Sequence, residues 1–78
     1  MEVSKEIRKK GNSLFEKGKV SKEIETGKRI HFKVLSEETH SVIFDKEKNE
    51  WVCDCRFFAL KQKTCSHIFA SVLFLEKG

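Results

Sequence analysis

The apolar positions of this chain change period twice. Val3, Ile7, Gly11, Leu14 and Phe15 fall on one stripe at helical spacing, with Lys5, Arg8, Lys9 and Asn12 on the opposite face. Residues 4–17 therefore predict an amphipathic helix. Lys17 and Gly18 supply a basic last turn and a left-handed stop. Gly11 costs stability inside a helix, so it marks a kink or a close packing contact. From Lys19 onward the period falls to two. Val20 and Ile24 bracket a first strand that ends at "ETGK", and Ile30, Phe32 and Val34 alternate with His31, Lys33 and Leu35 in a second. After "SEET" come a third strand, Ser41 to Phe44, a charged turn, "DKEKNE", and a fourth strand, Trp51 to Cys55. Turns of this length predict an antiparallel meander. "RFFALKQKT" reads as a linker with room for one helical turn, and a nearly all-apolar helix runs from about Ser66 to Glu76.

The fold class that follows is α+β: one small domain over 1–78, with an N-terminal helix (1–18), a meander of about four strands (19–55) and a site-plus-helix segment (53–77). With 78 residues the chain is short enough that such domains are often stapled by a metal, disulfides or a partner. The N-terminus offers no apolar signal-peptide core, and the longest apolar run, Ile68 to Leu75, is too short to span a bilayer. The expectation is a cytoplasmic protein, or one associated with the nucleoid, where disulfides rarely persist.

The cysteines change the picture most. Cys53 and Cys55 at i and i+2 on a strand would point to the same face. Cys65 and His67 follow after nine intervening residues, where the linker enters the last helix. Three thiolates and one imidazole form a closed tetrahedral set suited to one structural Zn²⁺ per chain. Competing readings are weaker. A Cys53–Cys55 disulfide would close a strained small ring and leave Cys65 idle. A Cys–His nucleophile needs an oxyanion site and a cleft. Buried inert cysteines are the blandest alternative. No catalytic site is expected.

The pattern, Cys-x-Cys, nine residues, Cys-x-His, resembles the SWIM-type zinc finger and not a Cys2His2 finger. "CSHIFASVLFL" is similar to the apolar helix that follows the CxH in SWIM proteins, with Ala70 at its small position. "FEKGKV" (Phe15–Val20) resembles the opening of the small stand-alone archaeal and bacterial members. Ser66 departs from the Lys often found between the last two ligands. The resemblance implies a nucleic-acid or protein interaction module. SWIM domains occur in helicase-associated proteins, transposase-derived factors and partners of recombinase paralogues, whose common denominator is DNA transactions.

Charge adds a candidate surface. Residues 1–35 carry ten Lys/Arg against five Glu, residues 36–54 two against six acidic, and residues 55–78 four against one. Candidate nucleic-acid contacts are Lys5, Arg8, Lys9, Lys28, Arg29, Arg56, Lys61 and Lys63. The expected partner is DNA held through phosphates; the alternative is an adaptor docking to a DNA-handling ATPase such as a recombinase paralogue. Phe57 and Phe58 could stack on bases but are expected to cover the metal. Trp51, on the face of Cys53, is expected in the core, and His31 and His40 on the surface. The final helix is apolar over so much of its circumference that Phe74 or a neighbour should be partly exposed, as a docking point.

Overall fold

The computed structural model describes residues 3–77. Its elements run α1 (Lys5–Glu16), β1 (Val20–Glu25), β2 (Arg29–Leu35), β3 (Thr39–Asp45), β4 (Glu50–Cys53), α2 (Arg56–Lys61) and α3 (Ser66–Lys77). The four strands form one antiparallel sheet in sequence order. The expected α+β architecture of helix, meander and C-terminal helix is present.

Local chemistry explains the boundaries. Ser4 caps α1 by accepting the Ile7 N–H at 3.2 Å. Gly18, at φ 69°, ends it in the left-handed conformation. The Gly18 N–H then donates to Phe15 O at 3.1 Å and the Lys19 N–H to Leu14 O at 2.9 Å, a Schellman stop. Thr26 Oγ1 accepts the amides of Lys28 and Arg29 in the β1–β2 turn, and Asp45 Oδ1 accepts those of Glu47 and Lys48 after β3.

The core lies on one face of the sheet. Ile30, Phe32 and Val34 of β2, Val42 of β3 and Cys53 of β4 are buried there with Ile68 and Ala70 of α3. Trp51 stacks on Phe44, ring centroids 4.5 Å apart, and on Phe32 at 5.8 Å, as expected of a packing residue. Gly11 resolves as a close contact: a Cβ there would stand 2.6 Å from Phe69 Cδ2 and 3.1 Å from Ser66 O. α1 therefore sits against α3 at a distance only glycine allows. Ser71, which interrupts the apolar run of α3, is buried but satisfied, its Oγ donating to His67 O at 2.9 Å.

One expectation needs correction, and two further details of packing stand out. The fourth strand ends at Cys53, and Cys55 lies beyond it as the N-cap of α2, so a shared strand face is not what brings the two thiols together. The register of β1 shifts between Lys22 and Ile24, pairing Ile24 with His31. That bulge turns Ile24 to the open face of the sheet, where it is 55% exposed. In α3, Phe74 is half-buried and meets Phe32 edge-on at 6.0 Å, while its neighbour Leu75 is exposed, as expected of so apolar a helix.

Candidate metal centre

Each potential ligand is delivered by a different local device. Cys53 is the last residue of β4, its Cα opposite Val42. Asp54 prolongs the pairing by donating its N–H to Ser41 O at 3.2 Å. The chain then turns, and Cys55 caps α2 as its Sγ accepts the Phe58 N–H at 3.4 Å. α2 stops at Gln62, whose φ of 50° reverses the chain toward Cys65. α3 opens directly behind Cys65, with the Phe69 N–H on Cys65 O at 3.0 Å, and its second residue is His67.

These devices bring Sγ of Cys53, Cys55 and Cys65 and a ring nitrogen of His67 within 4.8 Å of one another, all four residues buried. The His67 Nδ1 stands 3.7 Å from Cys53 Sγ and 3.8 Å from Cys65 Sγ. A tetrahedron drawn with ordinary zinc–sulfur and zinc–nitrogen bonds has edges of about 3.5–3.8 Å. The donors present therefore fit a zinc ion with little movement, and the ring nitrogen facing the sulfurs is Nδ1. The thiols are unbridged. Their mutual hydrogen bond holds Cys65 well below the usual thiol range and, together with burial, pushes Cys53 far up. Burial also raises Cys55. Further thiolates can form in so close a group only around a cation.

Beside the cluster lies a pair that spacing alone does not reveal. The ring of His40 packs on that of His67, centroids 4.2 Å apart and planes tilted by 32°. His40 Nδ1 is 3.0 Å from Asp54 Oδ1, and since a carboxylate only accepts, that nitrogen carries the proton. The same oxygen accepts the Ser41 N–H at 3.2 Å. His40, expected on the surface, is instead mostly buried and packs against a candidate ligand, the place of a supporting residue. The only hint in the sequence is Asp54 between the two cysteines, and it means nothing until the β3–β4 register is known.

A family model, SWIM zinc finger, matches residues 37–76, more than half of the chain. The chain belongs to the SWIM zinc finger family. As a SWIM zinc finger it is a zinc-binding module, and its Cys53, Cys55, Cys65 and His67 form the candidate site. Comparison with curated proteins and with solved structures gives no match.

The basic candidates separate into groups. Arg8 of α1, Lys61 at the end of α2 and Lys63 line one groove of about 710 Å³, with Val3, Ile7 and Phe57. Lys9 lines a second groove, where Lys10, not among the candidates, joins it over Cys55, Cys65 and His67. Lys5 and Arg56 are exposed but line neither groove. Lys28 and Arg29 belong to the β1–β2 turn and the start of β2, and Arg29 lies 3.9 Å from Asp45. The two phenylalanines also part company: Phe58 packs against the core, while Phe57 is 40% exposed and lines both grooves. Among the described residues no helix is long and apolar enough to cross a membrane.

Proposed function

We propose that this SWIM zinc finger is a non-enzymatic module that binds DNA through phosphate contacts, in recombination, repair or transcription, with the metal stapling the binding surface. The reading rests on one observation: Arg8, more than fifty residues distant in sequence from Lys61 and Lys63, lines the same groove as they do. Lys61 and Lys63 lie between ligands Cys55 and Cys65, so a bound metal would hold that segment in place. Cations gathered in this way match a phosphate backbone, which supplies affinity without reading sequence. The metal would be structural, because four protein ligands leave no open position for a substrate.

A second reading, an adaptor docking to a DNA-handling ATPase such as a recombinase paralogue, draws support from the open face of the sheet. Ile24, His31, Ile43 and Val52 pair in one row across all four strands. Ile24 is 55% and Val52 45% exposed. Salt-titrated binding of DNA to the zinc-loaded protein separates the two. The DNA reading expects affinity to fall steeply with salt, and the combined reversal Arg8→Glu, Lys61→Glu, Lys63→Glu to flatten the log–log slope by up to about 0.9 for each phosphate no longer neutralised. Zinc content should not change. Absence of DNA binding at low salt, with capture of the ATPase abolished by Val52→Glu, would establish the adaptor instead.

A further inference from the structure

We infer that the groove beside α2 holds single-stranded DNA, with Phe57 as the platform on which one unpaired base stacks. This rests on the DNA-binding reading above and specifies the form of the ligand. The two grooves share Ser4, Ile7 and Phe57, so they meet at that aromatic ring. Both grooves carry cations: Arg8, Lys61 and Lys63 in one, and Lys9 and Lys10 beside Glu6 in the other. Several phosphates can thus be met in the two grooves that share the ring, which suits a strand and not an isolated nucleotide. Each groove is open to solvent and has a volume of about 710 Å³.

The ring decides between the forms of DNA. α2 buries no residue, and Phe57 is left 40% exposed on the groove wall between cations. A base in a duplex has both faces covered by its neighbours, so an aromatic wall gains nothing from it. An unpaired base offers a free face, and phosphate contacts flanking an exposed aromatic ring are the two elements of sequence-tolerant single-strand binding. An acidic peptide would satisfy the cations but has no flat group for the ring.

The test uses the full zinc-loaded chain and fluorescence anisotropy with oligothymidylate, a duplex of equal length, oligouridylate and polyglutamate. Oligothymidylate should bind at least about fivefold more tightly than duplex at equal salt, from the worth of one stacked base. Phe57→Ala should remove that margin, leave duplex affinity and the salt slope unchanged, and keep full zinc content; Phe57→Trp should restore the margin. Equal affinity for both DNA forms, with Phe57→Ala silent, overturns the inference and leaves the DNA reading standing. No binding of either form at low salt overturns both. Tighter binding of oligouridylate, or Phe57-dependent binding of polyglutamate in place of DNA, overturns the assignment to single-stranded DNA in favour of RNA or an acidic protein.

Discussion

The two helices that follow the meander are held by different forces. α3 is twelve residues long and buries His67, Ile68, Ala70, Ser71 and Leu73 against the sheet and α1. α2 is six residues long and buries none, and its Leu60 is 72% exposed. So short a helix is not stable by itself. It is bracketed by two candidate ligands, Cys55 at its cap and Cys65 four residues after its end. α3 is held by the hydrophobic core, whereas α2 meets that core through the half-buried Phe58 and is expected to depend on the metal. The segment with the least core of its own contributes Phe57, Lys61 and Lys63 to the grooves, so metal loading is expected to govern how the grooves are assembled.

The most severe way to separate the helices is to remove the metal. Structural zinc contributes on the order of 10–16 kcal/mol of apparent binding energy in small domains, more than so small a core supplies. Chelation, or Cys65→Ser, should abolish amide protection across α2 and loosen the start of α3, while the amides of β2 and β3 exchange last. Hydrogen exchange resolved by residue checks the order, and equal loss in all elements would refute the contrast. Acid should act in the same direction. Protons compete with the ion for three thiolates and an imidazole, so zinc affinity rises with pH and α2 loses protection first on acidification.

A smaller effect is expected at the support of His67. His40→Ala removes the stacked ring and the hydrogen bond to Asp54, and should weaken zinc binding about 10- to 100-fold in chelator competition. His40→Phe should recover the part due to stacking. Sheet stability with zinc in excess should hardly change.

Gly11→Ala attacks α3 from the other side. The added methyl would lie 2.6 Å from Phe69 Cδ2 and meet the Ser66 carbonyl at 3.1 Å. Overpacking of about 1–3 kcal/mol outweighs the ~0.5–1 kcal/mol that alanine contributes to an exposed helix. A net loss of about 1–2 kcal/mol in denaturant unfolding is expected, with the zinc stoichiometry intact. A gain in stability would mean that the two helices can part freely.

The least effect belongs to the turns far from both helices in function. Hydrogen bonds from Lys22 and Lys46, each 2.8 Å, hold the Glu25 carboxyl down at about 2 from an ordinary 4.5. The lowered value contributes stability above the ordinary range, which is lost as pH falls through about 2. Because the group is exposed, salt screens it. Glu25→Gln should produce the smallest melting shift of the series, detectable at neutral pH and low salt and absent in strong acid.

How much of this was legible in the sequence follows from the range of the interactions involved. The helices at both ends, the meander and the four-ligand cluster rest on periodicity and spacing, which are local, and 3.6-residue and 2-residue repeats cannot be mistaken for each other over these lengths. The stop at Gly18 and the turns at Thr26 and Asp45 are likewise settled by residues within a few positions of one another. Other features depended on register and packing, which no local window contains. A one-residue bulge turned Ile24 outward, and pairing of β3 with β4 placed His40 on His67. Only the packing of α1 against α3 brought Arg8 into one groove with Lys61 and Lys63, leaving Lys28 and Arg29 apart from them. The sequence determined which atoms could hold a metal, because ligand chemistry is carried by residue type. The tertiary structure decided what surrounds those ligands and which charges share a surface, because both depend on contacts between residues far apart in the chain.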